Sequence, residues 1–299
     1  MSETEKKSYF IRRMRIFCKR NYATVIALLL LGGLYFYTHK IEPDQLKITE
    51  YDFYHEKVTP ELDGVVIAFV SDIHAADRRI PLWQKAMNAI NQTPNVEAIL
   101  LGGDLINGNS RGIKIDELLN TFSYLKNPSV VFSVSGNHEY RYRHGGIKAI
   151  RNAFNKHGFK LMQDDNIVIT TANGSKFNLI GLDFMTNPHD RINQKRTEKL
   201  FREDMLNIVL THTPEDFPFL PEKAHLSLVG HTHGGQLHIP LLGSVIKPPG
   251  YPRKYSYGKI KENNKTMFVT SGLGSAYTQA RLFMKPEVVF ITLKMANKK

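Results

Sequence analysis

The stretch Gly230-His231-Thr232-His233-Gly234-Gly235-Gln236 places two imidazoles one residue apart, directly after the apolar run Leu226-Ser227-Leu228-Val229. Imidazole is the commonest metal-binding side chain, and the glycines let backbone approach closely. A His-x-His pair alone is equally at home in a solvated loop or a core, so its meaning depends on its partners. Four other stretches share the same context, an apolar run followed by polar groups. Ser71-Asp72-Ile73-His74 follows residues 65–70, and Gly102-Gly103-Asp104 follows residues 98–101. Gly136-Asn137-His138-Glu139 follows residues 130–135, and Thr211-His212-Thr213-Pro214 follows residues 208–210. Taken singly, Asp72 reads as a cap, Asp104 and Asn137 as turn residues beside glycine, and His74 and His212 as hydrogen-bonded core histidines. Five such turns in one chain point instead to one metal site assembled from all of them.

The elements that must position these groups are legible in the hydrophobic pattern. Short apolar runs at 65–70, 98–101 and 130–134 read as buried strands. Between and after them, 81–92, 113–126 and 146–157 read as helices, the last closed by Gly158. Strands alternating with helices predict an α/β fold with largely parallel strands. The carboxyl ends of such strands converge on a crevice where ligands bind, so the five turns are expected to meet. The second half is richer in strands, at 167–169, 177–182, 208–210, 226–229, 267–269 and 288–293. Asn173-Gly174 marks a hairpin between the first two. Residues 48–58 alternate as an exposed strand does.

Composition narrows the chemistry. Of 299 residues, 42% are hydrophobic and 23% charged, which suits one large globular domain or two small ones. The single cysteine, Cys18, leaves no disulfide framework and no cysteine metal cage. Metal chemistry must therefore use His, Asp, Asn or Glu. The formal net charge of +12 is partly local, since residues 1–21 carry Lys6, Lys7, Arg12, Arg13, Arg15, Lys19 and Arg20 against Glu3 and Glu5. The remaining, milder excess suits anionic substrates or lipid headgroups. No basic run interleaved with aromatics stands out in the first half of the domain to point to nucleic acid, and no obligate protein partner is indicated.

Residues 22–38 are apolar and uncharged, with Tyr22 at one end and Tyr35 and Tyr37 at the other. As a helix they extend ~26 Å at ~1.5 Å per residue, close to the ~30 Å hydrocarbon core of a bilayer, with aromatics at both interfaces. A cleaved signal peptide would have a shorter apolar core and a small-residue cleavage site, and no such site follows. The expected division is a basic cytoplasmic N-terminus (1–21), a transmembrane helix (22–38), a linker and edge strand (39–59) and a catalytic domain (60–299). The positive-inside rule puts the catalytic domain outside the cytoplasm, in a single-pass inner- or plasma-membrane protein.

The order and form of the five motifs resemble the calcineurin-like metallophosphoesterases over residues 60–294. Within them the chain is most similar to the bacterial YkuE/YaeI-type phosphodiesterases. That likeness extends to His212-Thr213-Pro214-Glu215, the full Gly-His-Thr-His-Gly-Gly-Gln run and the ending Ser271-Gly272-Leu273-Gly274 … Arg281-Leu282 … Pro286-Glu287. Gly102 and Glu139 depart from residues usual in the family, though neither is at a ligand position. The resemblance implies a four-layer α-β-β-α sandwich of two mixed sheets. It implies one divalent ion on Asp72, His74 and His233, a second on Asn137, His212 and His231, and Asp104 shared between them. The donor set suits Mn²⁺ first, with Fe²⁺ or Zn²⁺ as alternatives. Two dications ~3.5–4 Å apart serve in-line displacement at phosphorus. His138 is left unligated as the catalytic residue, to protonate the leaving oxygen or stabilise the phosphorane-like charge, pointing away from Asn137 if the backbone there is extended.

Arg78, Arg79, Arg141, Arg143 and Arg281 lie near the motifs, and Arg141 and Arg281 are the candidate phosphate contacts. The proline-rich stretch 239–255 mixes apolar, aromatic and basic residues and reads as a rigid loop beside the site, packed either on its own domain or against lipid. The expected substrate is a phosphodiester or pyrophosphate of a lipid-linked or envelope component. Alternatives are the UDP-2,3-diacylglucosamine pyrophosphate of lipid A synthesis and soluble nucleotides or nucleic acid.

Overall fold

The computed structural model describes residues 2–75, 80–108, 113–127, 130–184, 197–239, 243–244, 252–276 and 278–296. Helices α1 (Glu3–Arg20) and α2 (Tyr22–Phe36) lead through a π-turn (Tyr37–Ile41) and a 3-10 turn (Glu42–Asp44) into strand β1 (Lys47–His55). Next come β2 (Val66–Val70), α3 (Ile80–Gln92), β3 (Val96–Leu101), α4 (Ile115–Thr121), β4 (Val131–Val134), α5 (Asn137–Tyr140) and α6 (Gly146–His157). The second half holds β5 (Lys160–Met162), β6 (Asp165–Thr170), β7 (Lys176–Gly181), β8 (Asn207–Thr211) and β9 (Leu226–Val229). After these come β10 (His238–Ile239), β11 (Gly243–Ser244), β12 (Gly258–Glu262), β13 (Lys265–Val269) and β14 (Glu287–Met295).

Two six-stranded sheets result, ordered β1-β14-β2-β3-β4-β5 and β12-β13-β9-β8-β7-β6. Both are mixed. β2, β3, β4 and β5 run parallel while β14 opposes β2. In the second sheet β7, β8, β9 and β13 run parallel while β6 and β12 oppose their neighbours. The Asn173-Gly174 turn joins β6 to β7, with Gly174 at φ 86° as such a hairpin requires.

Successive strand side chains point to opposite faces, and each face finds a layer. Ile67, Phe69 and Leu100 meet Leu179, Ile208, Leu228 and Phe268 between the sheets. Ala68, Val70, Ile99 and Leu101 meet Trp83, Met87, Leu118, Phe122, Ile150 and Phe154 of the helical layer. Burial on both faces is why β2 reads as an unbroken apolar run. Among the described residues, the outer face of the second sheet is covered by Leu200, Phe201, Phe217, Leu220 and Tyr255. Much of this cover is the 3-10 turn Pro214–Phe219, where Pro218 removes an amide donor that an α-helix needs. The helix expected over 113–126 is likewise shorter, with α4 giving way to a 3-10 turn at Phe122–Tyr124.

At the edge of the sandwich far from the β2, β3 and β4 carboxyl ends, the rings of His55 and His225 lie 4.3 Å apart. His225 Nδ1 accepts from the Asn207 amide at 3.0 Å, and His55 Nδ1 accepts from the Lys57 amide at 3.1 Å. Burial lowers both pKa values, with Lys57 adding to the effect, and His225 is brought from 6.5 to about 4. The folded state therefore favours the neutral rings. Their contribution is full above the unfolded value near 6.5 and is lost as pH falls toward about 4. Urea unfolding should show stability declining across that window, and His225→Asn, which keeps an acceptor for Asn207, should flatten the decline. An unchanged slope in the variant would remove His225 as the cause.

Candidate metal centre

The five polar turns follow β2, β3, β4, β8 and β9, and they meet where the carboxyl ends of both sheets converge. Their backbone is unusual. Asp72 (φ 54°), His74 (42°), Asp104 (50°), His231 (68°) and His233 (51°) all take left-handed conformations without being glycine. Such residues cost roughly 1–2 kcal/mol each and persist only where the surroundings hold them. Here the holding is main-chain pairing between turns. The Asp72 amide donates to Gly103 O (2.9 Å), His74 to Asp104 O (3.0 Å) and Leu273 to Ser71 O (2.9 Å). Across to the second sheet, the His231 amide donates to both Asp72 carboxylate oxygens, at 2.9 and 3.1 Å.

Asp104 sits at the centre. Its Oδ2 lies 3.4 Å from His212 Nε2, 3.7 Å from His74 Nε2 and 3.9 Å from His138 Nε2, and its Oδ1 accepts the His138 amide at 2.8 Å. His233 Nε2 lies 3.6 Å from Asp72 Oδ1 and 3.2 Å from His74 Nε2. His231 Nδ1 lies 3.0 Å from His212 Nε2, whose Nδ1 faces Gly102 O at 2.7 Å. The ligand atoms fall into overlapping groups: Asp72, His74 and His233; His74, Asp104 and His138; Asp104, His212 and His231.

Burial dominates the electrostatics. It pushes Asp72 up to about 6 and His74 down to about 3, and it holds His233 well below its ordinary value. For His212 burial is outweighed by the Asp104 and Asp72 carboxylates, which raise it to about 9, and the His212 charge in turn holds Asp104 low against its own burial. Facing Nε2 atoms on two neutral rings call for a cation between them, and the buried Asn137 Oδ1, with no hydrogen-bond partner, is a further oxygen donor left open. The residues present therefore fit divalent metal. His212 and His231 come together with Asp104, as do Asp72, His74 and His233.

The remaining expectations divide. Asn137 and His138 are not extended but open the short helix α5. Asn137 Oδ1 is buried, while the His138 side chain is 20% exposed against 1% for His74 and 0% for His212. Arg141 stands exposed just beyond α5, close enough to help burial lower His138. Arg281 does not meet solvent. It is fully buried, and its guanidinium donates to the carbonyls of Met284 (2.7 Å), Ser271 (2.9 Å), Gly272 (3.1 Å) and Gly274. It is an internal brace rather than a phosphate contact. Arg143 is exposed, and Arg78, Arg79 and most of the 239–255 stretch lie outside the described residues.

Two organising residues escaped sequence reasoning. Buried Glu139 accepts from the amides of Gly136 (2.7 Å), Asp104 (2.8 Å) and Leu105 (2.8 Å), locking the β3 and β4 turns together. Its position three residues after Gly136 was a capping signal. Asp183, directly after β7, accepts from Ser135 Oγ, Tyr140 Oη (2.5 Å) and Gln163 Nε2 (2.9 Å), tying α5 to the second sheet. Its apolar strand followed by Asp was the same signal as at Asp72.

Close approach explains the glycines. A Cβ on Gly230 would meet Ser71 Oγ and the Asp72 carboxylate, and one on Gly136 would meet Asp104 Oδ1 and, at 2.7 Å, its amide. Gly230→Ala and Gly136→Ala should each bind less metal than the unaltered chain, read by elemental analysis after desalting. Gly174→Ala, with open space around it, should keep its metal though its φ is strained.

The profile of the calcineurin-like phosphoesterases matches residues 65–235, which hold all five turns. The metallophosphoesterase YkuE of Bacillus subtilis (strain 168) is 27% identical over 281 residues, covering 90% of this chain and 93% of that protein. The phosphodiesterase YaeI of Escherichia coli (strain K12) is 26% identical over 263 residues, covering 86% and 92%. YkoQ, a second B. subtilis metallophosphoesterase, is 26% identical over 226 residues, covering 75% and 82%. With its ligand-bearing turns inside the matched region, the chain belongs to the calcineurin-like phosphoesterases, metal-dependent hydrolases of phosphoesters.

Proposed function

We propose that this protein is a membrane-anchored phosphodiesterase or pyrophosphatase that uses two divalent ions, manganese first among them, on a lipid-linked or cell-envelope substrate. The observation that carries the chemistry is the gathering of His and Asp donor groups from both sheets around one buried carboxylate, Asp104. Asp72, His74 and His233 would hold one ion and Asn137, His212 and His231 the other, with Asp104 serving both. Ions bound there supply Lewis-acid polarisation of the phosphoryl group and acidify water. The protein supplies the rest. Gly108 donates its amide to His138 Nδ1 at 3.1 Å, so in the neutral ring the proton resides on Nε2. That atom faces the site and is the one substrate can reach. His138 would thus donate a hydrogen bond that stabilises the charge developing on the departing oxygen, and Arg141, exposed just beyond α5, would contact the phosphate. The name carried by the E. coli relative supports the diester preference.

The anchor reading rests on the apolar helical stretch Tyr22–Asp44, 23 residues long and 6% buried over its most apolar window. A cleaved signal sequence passes the same length test. However, the far end of this stretch is built into the catalytic domain, with Thr38 and Glu42 buried and Glu42 Oε1 accepting the Met284 amide at 2.6 Å. Removing it would strip that packing. The basic α1 before the stretch favours a cytoplasmic N-terminus and an extracytoplasmic catalytic domain, which disfavours UDP-diacylglucosamine hydrolysis.

His138→Ala should lower turnover of bis(p-nitrophenyl) phosphate by about 10²–10⁴-fold with metal content kept, whereas Asp104→Ala should lose metal and turnover together. Near-normal turnover in His138→Ala would remove its role at the departing oxygen. Dialysis against EDTA should abolish hydrolysis, with Mn²⁺ restoring it best. A topology reporter fused after Lys299 should read extracytoplasmic; a cytoplasmic signal together with UDP-diacylglucosamine cleavage would favour the lipid A reaction instead.

A further inference from the structure

The apolar N-terminal helix meets the domain at a definite place. β1 and β14 run parallel from Lys47 and Glu287, and Val289 of β14 pairs with Phe69 near the carboxyl end of β2. The chain therefore passes from the helix into the fold at the catalytic edge of the first sheet. There the segment 281–284 is held between two partners. On one side the Arg281 amide donates to Thr38 O at 2.9 Å and the Met284 amide to Glu42 Oε1 at 2.6 Å. On the other, the Leu282 amide donates to Gln236 O (2.9 Å), the His238 amide donates to Leu282 O (2.8 Å), and Met284 lies against Gly234, next to His233.

Phe283 is the residue this sandwich turns outward. It is 61% exposed, in a left-handed backbone conformation (φ 54°) that bulky side chains rarely take. Ile239, after the paired His238, is 37% exposed, and Ile41 beyond Thr38 is 38% exposed. Exposed Lys40 and Lys285 flank them. An aromatic and aliphatic rim with lysines at its margin, continuous with a bilayer-length helix, has the composition of a membrane-interface surface.

We propose that Phe283, with Ile239 and Ile41, forms a bilayer-facing rim beside the metal centre, so that the site meets phosphoesters in the headgroup layer of the membrane that holds the helix. This rests on the anchored reading above. The helix end is bonded to the segment next to His233, so the domain is held with its catalytic edge against the lipid rather than free to tumble on a tether. The chemistry recognised is a phosphoester whose apolar part remains in the bilayer.

The full chain carries one tryptophan, Trp83, buried in the helical layer, which gives a quiet background for fluorescence. Phe283→Trp, Ile239→Trp and, as a control, Tyr124→Trp are reconstituted into phosphatidylcholine–phosphatidylglycerol vesicles brominated near the top of the acyl chains. Tyr124 is 68% exposed and precedes β4, at the opposite end of the first sheet. Interfacial insertion reaches about 5–10 Å, so the Phe283→Trp signal should fall about two-fold and the Ile239→Trp signal in the same direction, with the Tyr124→Trp signal unquenched. Co-flotation with vesicles reads anchoring separately, and bis(p-nitrophenyl) phosphate turnover in detergent reads the diesterase chemistry. Chains that float but leave Phe283→Trp and Ile239→Trp unquenched, or quench all three sites equally, overturn the rim while the anchor stands. Chains that do not float overturn both. Should Phe283→Trp misfold, the Ile239→Trp signal decides.

Discussion

The structure depends on a carboxylate kept charged out of water. Asp104 is buried, and a buried anion is tolerated only when it is paired and hydrogen-bonded. Its partners come from both sheets: His74 and His138 from the first, His212 from the second. The two sheets must therefore present their carboxyl ends together, and the main chain must come close enough for ligand atoms to share one small volume. Glycines at 103, 136 and 230 permit that approach, and left-handed turns at five candidate ligands aim the side chains inward. The strain is distributed over turns that brace one another, so no single turn is formed without its neighbours.

Behind the candidate ligands lies a second layer of buried charge with no chemistry of its own to perform. Glu139 collects amides of the β3 and β4 turns, and Glu287 accepts from Thr49 (2.6 Å), Tyr257 (2.7 Å), Thr270 (3.0 Å) and the Ser271 amide (3.1 Å). Arg281 gathers the carbonyls of the loop that packs on Asp72. Each charged group ties segments distant in sequence. The same loop is bonded to the end of the apolar helix, so that helix and the turn that carries His233 share one support. This coupling is a property of packing.

The alternation of apolar runs and amphipathic stretches determined the fold class, because burial on one or two faces imposes a periodicity that the order of residues reveals. The five ligand-bearing turns were legible for a related reason: polar residues directly after a buried strand have few places to be except a strand-end crevice. Other features were illegible because they depend on long-range contact. Arg281 has the look of a phosphate-binding cation, and only the fold shows that its guanidinium meets backbone carbonyls instead. Asn137 and His138 diverge because α5 starts there, not because the strand continues. Asp183 follows an apolar strand as Asp72 does, and only the fold shows that it reaches across to Tyr140 of α5 rather than to the candidate ligands. The sequence by itself thus determined which residue types reach the crevice, since hydrophobic periodicity is local. The tertiary structure decided which of them face one another and which brace the site from behind, because pairing across two sheets depends on register and close approach that no local pattern encodes.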